Sequence, residues 1–175
     1  MNTFEVVVCA DCQLHWRADS DPPKCSRSDH IHRRVQLHRH RDIVVLPDGT
    51  SVTATSFNAD DPYARDQTPD YGLYLDRQWQ PPWPHEHLDW PDFDVPESRT
   101  PAIAALRSVL AKAHAGQCVE VGCIGGHGRT GTALACLAVL GGLPASDAVD
   151  WVRAAYCGDA VETPEQRAFV AQFHE

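Results

Sequence analysis

The sequence predicts an α/β fold with a small Cys/His-rich appendage at its N-terminus. Three observations carry that prediction. From residue 43 onward, short β-prone runs alternate with segments of helical periodicity. The 175 residues are 43% hydrophobic and 22% charged, enough for one domain with a real core plus a small extra element. The composition also changes along the chain. Residues 1–42 hold seven Lys and Arg against six acids, a net of +1, and five of the ten histidines, whereas the rest carries −10. The division is therefore set near Asp42, with a Cys/His-rich segment over 1–42 and the main domain over 43–175.

A net charge of −9 argues against nucleic acid as a partner. The longest apolar run, Ala133 to Leu140, is far short of the roughly 20 residues of a membrane span. Met1 to Glu5 has no basic region, and Val6-Val7-Val8 is too short for a secretory core. The expectation is a cytoplasmic protein that keeps its thiols reduced. Its seven cysteines then serve as metal ligands, catalytic groups or core residues.

In the main domain, Ile43 to Leu46 and Ser51 to Thr55 flank Pro47-Asp48-Gly49 and read as a hairpin. Residues 58–70 are Asp- and Pro-rich loop. Tyr71 to Leu75 is a further strand, followed by the proline-rich Pro81 to Pro84 and a short segment at His87-Leu88. Thr100-Pro101 predicts a helix start, with Ile103, Leu106, Leu110 and Ala113 at helical spacing and Gly116 as the stop. Cys118 to Val121 is β-prone. A buried helix follows from about Thr130 to Leu140, apolar almost all round. Further helices are expected over Ser146 to Tyr156 and from Thr163-Pro164 onward.

The loop between that last strand and the buried helix runs Val121-Gly122-Cys123-Ile124-Gly125-Gly126-His127-Gly128-Arg129-Thr130-Gly131. Glycines let backbone N–H groups converge, and a helix N-terminus adds partial positive charge, so the segment builds an anion site. Arg129 can hold two phosphate oxygens through its planar fork. The same field favours the thiolate form of Cys123, the nucleophilic one. A nucleophile at the floor of a phosphate cradle implies attack at phosphorus. Gly126-x-Gly128-x-x-Gly131 also fits a dinucleotide-binding spacing formally, but no early βαβ unit surrounds it.

Cys123-x5-Arg129-Thr130-Gly131 resembles the signature of the cysteine-dependent protein tyrosine and dual-specificity phosphatases, and Gly126 and Gly128 fit it too. Trp90-Pro91-Asp92, with Pro96, is similar to the family's acid loop, and Thr163-Pro164-Glu165-Gln166 with Phe169-Val170 to its glutamine-bearing loop. The likeness spans about 43–175 and implies a three-layer core, a central mixed sheet flanked by helices. It implies a phosphomonoester hydrolase that needs no metal or other cofactor for chemistry, with a phosphorylated protein or other phosphomonoester as substrate. Cys123 would form a phosphocysteine, and Arg129 with the amides of Ile124, Gly125, Gly126, His127 and Gly128 would bind the phosphoryl oxygens. Asp92 would act as general acid and then base, Thr130 would hydrogen-bond the sulfur, and Gln166 would orient water. Thr163-x-x-Gln166 reads equally as a capping box, and Asp92 as a turn aspartate beside Asp89 and Asp94. The His127 ring either adds charge near the phosphate or faces solvent. Cys118 and Cys136 read as core residues, and nothing local assigns Cys157. Gly122 stands where most members have histidine, and Asp94 where tyrosine-specific members prefer glycine. The chain is nearer a compact dual-specificity core. A catalytically weak phosphate-binding adaptor, an RNA 5′-phosphatase and a phosphoinositide phosphatase remain alternatives on the same fold.

The appendage carries a separate pattern. Cys9-x2-Cys12-x12-Cys25-x4-His30 predicts a tetrahedral structural zinc site that would staple a segment too small for its own core. His32 and His15 are alternatives to His30. A Cys-x-x-Cys hairpin with unrelated histidines, or a redox pair, would use the same cysteines otherwise.

Overall fold

The computed structural model describes residues 3–9, 11, 15–18, 25–58 and 61–173. The chain forms two units, Met1–Arg39 and His40–Glu175. In the first, β1 (Thr3–Cys9) is the centre of a three-stranded antiparallel sheet, with β2 (His15–Arg17) on one side and β3 (His32–His38) on the other. Side chains two apart share a strand face, and Val7 and Cys9 meet Cys25 in a small buried cluster.

The second unit is organised around β8 (Val119–Cys123), all five residues of which are buried. It lies in a mixed sheet of order β4-β5-β8-β6-β7, with β4 (Arg41–Val45), β5 (Ser51–Ser56), β6 (Tyr71–Tyr74) and β7 (His85–His87). The β4–β5 hairpin is antiparallel, and β5, β8, β6 and β7 run parallel. Val119, Val121 and Cys123 join one core with α1 (Arg99–His114), α2 (Gly128–Leu140), α3 (Ala148–Ala155) and α4 (Pro164–Ala171). The central helix is α2, packed against the other three, which is why its sequence is apolar all round.

The alternate position of β8 holds Glu120, fully buried. Its carboxylate takes a two-point contact from Arg65, Nε to Oε2 at 2.7 Å and Nη2 to Oε1 at 2.8 Å, and the Tyr74 hydroxyl donates to Oε1 at 2.9 Å. The Arg65 guanidinium lies over Phe57 and Trp83, which cluster with Tyr74, Tyr63 and Trp79. Among the described residues, this aromatic cluster is separate from the core that holds the helices.

Several boundaries differ from the sequence expectation: the unit division falls after Arg39 rather than Asp42, α2 begins at Gly128, and α3 is the shorter Ala148–Ala155. α1 begins after Ser98, whose extended backbone makes it the N-cap, so Thr100 and Pro101 sit inside the first turn. β8 continues through Gly122 and Cys123, because both still pair with β5. No helix among the described residues is long and apolar enough to cross a membrane.

Candidate active site

Cys123 is the last residue of β8, beside Ser56 of β5, and is 3% exposed. Two donors converge on its sulfur. The Gly126 N–H reaches Sγ at 3.3 Å and the Thr130 hydroxyl at 3.1 Å. Both interactions strengthen as the sulfur gains negative charge. Gly126 has a φ of 78°, a left-handed conformation that brings its N–H back over the sulfur and that a side chain would strain. The loop is held from outside as well. Phe57 and Asn58 N–H groups donate to the Ile124 carbonyl at 3.1 Å, and the Tyr156 hydroxyl donates to the Gly126 carbonyl at 2.5 Å.

The departure at Gly122 has a steric cause. A Cβ there would collide with Thr55 Cγ2 and lie 2.9 Å from the Thr55 carbonyl oxygen. The neighbouring strand fills the space that a histidine would need.

Arg129 opens α2 with a side chain only 5% exposed. Its Nη1 donates to the carbonyls of Leu75 at 2.9 Å and Trp90 at 3.1 Å, which fixes the guanidinium plane. Nη2 lies 3.1 Å from Asp92 Oδ1, and Asp76 is 3.7 Å from Nη1. Nε is buried with no hydrogen-bond partner among the described residues. The acid loop is anchored by Trp90, buried against Phe169 of α4, whose indole N–H donates to the Asp94 carbonyl at 2.8 Å. Asp92 is therefore carried to the phosphate loop's arginine.

Gln166 is fully buried and forms the capping box with Thr163. Its Oε1 accepts from the Glu162 N–H at 2.8 Å, and its Nε2 donates to the Asp94 carbonyl at 3.4 Å. One end of the amide thus caps α4 while the other touches the acid loop. The His127 ring is 2% exposed, with Nδ1 3.4 Å from His40 Nε2 and 3.3 Å from Cys157 Sγ. It does not face solvent. Ile124 and Gly125 are half-buried and Gly126 and Gly128 buried, all in the same loop.

Sequence reasoning missed several neighbours. Glu162 sits against Gly128, where a Cβ would strike its carboxylate. Glu162 is an exposed residue, yet desolvation around its carboxylate, with the Asp92 charge as the second cause, raises its pKa from 4.5 to about 7. Asp76, His40, Asp42 and Tyr156 were also passed over. His40 and His127 are 87 residues apart, so no local pattern could join them.

In the Met1–Arg39 unit, His30 Nδ1 lies 3.4 Å from Cys9 Sγ and 3.5 Å from Cys25 Sγ. Cys12 lies outside the described residues, as does the His15 side chain, while His32 also lies near Cys9 and Cys25.

With this geometry established, comparison with known proteins assigns the class. The chain belongs to the PTP-SAK family, the Swiss Army Knife protein DSP-PTPase phosphatase domain, whose family model matches residues 80–170. Two uncharacterized proteins of Methanocaldococcus jannaschii are 52% identical over 58 residues and 53% identical over 55 residues. Those stretches cover 33% and 31% of this chain and 38% and 33% of theirs, so the chain spans about a third of the length of the curated relatives it matches. The crystal structure of Tk-PTP in the active form is 27% identical with a TM-score of 0.61, covering 74% of this chain and 95% of that one. Kinase associated phosphatase, with its catalytic cysteine replaced by serine, shares the fold at 13% identity and a TM-score of 0.60, over 77% of this chain and 94% of its own.

Proposed function

We propose that this chain hydrolyses phosphomonoesters of phosphorylated proteins through a phosphocysteine on Cys123. The observation that carries this reading is the pair of donors on the Cys123 sulfur, in the same loop whose Arg129 meets Asp92. In the first step the thiolate attacks phosphorus, the P–O ester bond breaks, and Asp92 gives its proton to the departing oxygen. Arg129 exchanges its Asp92 contact for phosphoryl oxygens as charge develops on them. In the second step water attacks phosphorus, Asp92 takes the water proton, the P–S bond breaks, and inorganic phosphate leaves. The Thr130 hydroxyl stabilises the departing thiolate.

In the appendage, Cys9, Cys12, Cys25 and His30 would hold a structural zinc ion. The two sulfur–nitrogen distances support it, since a tetrahedral zinc with Zn–S of about 2.3 Å and Zn–N of about 2.0 Å has edges near 3.5 Å. The protein works in the cytoplasm, where both the thiolate nucleophile and the zinc thiolates stay reduced. The test is steady-state hydrolysis of an aryl phosphate by the wild type, Cys123→Ser and Asp92→Asn. Cys123→Ser should be inactive and Asp92→Asn slowed by about 10²–10⁴-fold. Equal rates for all three would overturn the mechanism.

A further inference from the structure

We propose that His40, His127 and Cys157 form a second zinc site, built into the phosphate loop itself. Three donor atoms face one another: His40 Nε2, His127 Nδ1 and Cys157 Sγ, all within 4.8 Å. The nitrogens are 3.4 Å apart, and His127 Nδ1 is 3.3 Å from the sulfur. Tetrahedral zinc requires edges of about 3.3 Å between nitrogens and about 3.5 Å between nitrogen and sulfur.

The same distances are within hydrogen-bond range, and zinc would engage all three donor atoms at once. A single proton on His127 Nδ1 can serve the His40 nitrogen or the Cys157 sulfur, but not both. The Asp42 carboxylate lies 2.6 Å from His40 Nδ1. With its proton committed there, His40 presents a lone pair from Nε2 toward the other two. This carboxylate–histidine pairing is the arrangement that orients histidine ligands on zinc. A cation between the three converts facing lone pairs into ligands. All three residues are nearly closed to solvent, at 4%, 2% and 4% exposure, so the donors are already dehydrated.

The ligands come from three places: His40 just before β4, His127 in the loop, and Cys157 just after α3. Zinc would tie the loop to both other elements and set a divalent charge beside the anion cradle. That consequence rests on the phosphatase reading; the metal site does not.

The test is the zinc content of the full chain, measured by mass spectrometry after incubation with zinc salt and desalting. Cys157→Ser should remove one equivalent, whatever the appendage holds. Cys9→Ser/Cys25→Ser should retain one equivalent, and the triple variant none. With Co²⁺ in place of zinc, Cys9→Ser/Cys25→Ser should show a thiolate-to-metal absorption band that Cys157→Ser abolishes. His40→Gln serves the same purpose if Cys157→Ser does not fold. Unchanged zinc content in these variants, or no metal in folded Cys9→Ser/Cys25→Ser, would overturn the site, and neither result bears on aryl phosphate hydrolysis.

Discussion

Cys123 and Cys157 are equally buried, at 3% and 4% exposure, and serve the same loop from different sides, yet their surroundings are opposite in character. The Cys123 sulfur meets hydrogen-bond donors, the Gly126 N–H and the Thr130 hydroxyl. The Cys157 sulfur meets an imidazole nitrogen, with a second imidazole beyond it, and burial pushes its thiol pKa up. The first environment favours negative charge on sulfur; the second collects lone pairs and suits a cation. Depth in the protein does not decide what a cysteine does. The polarity of the groups aimed at it does.

The largest effect that would sharpen this contrast is Cys123→Ser. Turnover should fall by more than about 10⁴-fold while zinc content stays at the wild-type value. Loss of metal together with turnover would break the separation of the two environments. Next is Thr130→Ala, which removes a donor from the charged sulfur. A hydrogen bond to a charged group contributes about 1.5–3 kcal/mol, so breakdown of the phosphocysteine should slow by about 10- to 100-fold. Rapid-quench kinetics should show the intermediate accumulating. Tyr156→Phe cuts the tie to the Gly126 carbonyl and should lower stability by about 1 kcal/mol in urea denaturation, with a modest loss of kcat.

The smallest effect concerns Glu162. Its folded pKa of about 7 exceeds the ordinary 4.5, so the native state holds more protons than the unfolded one between those values. Stability should therefore fall as pH rises through that window and level off above it. Glu162→Gln should flatten this slope, as read from denaturation midpoints at about pH 5 and about pH 8, and solvent screening at this exposed residue keeps the difference slight.

The Cys123 side of the loop was legible in the sequence because its chemistry is local. Cys123, Thr130 and Arg129 lie within eight residues, and the glycines between them state the turn. Asp92 was legible through Trp90-Pro91, and the structure adds why tryptophan is there: it packs on Phe169 and anchors the loop through Asp94. The Cys157 side was not legible, since His40, His127 and Cys157 come from three distant segments and no spacing rule connects them. The same holds for Glu120, an acid in a central strand. Its partner Arg65 is 55 residues away in a stretch that reads only as polar loop. At Gln166 the sequence offered capping or a site role, and the fold uses opposite ends of one amide for the cap and for contact with the acid loop. The start of α1 was misplaced because Ser and Thr are both common N-cap residues, and the extended backbone at Ser98 puts the helix start there.

The close approach of β5 to Gly122 limits which residues the sheet can hold there. A methyl at position 122 meets a side chain that could be trimmed, but also the Thr55 carbonyl, which no substitution can remove. Histidine at position 122 would therefore require β5 and β8 to move apart, even with a smaller side chain at position 55. Sheet spacing thus leaves the Cys123 sulfur to be set by the Gly126 N–H, the Thr130 hydroxyl and the groups behind the loop.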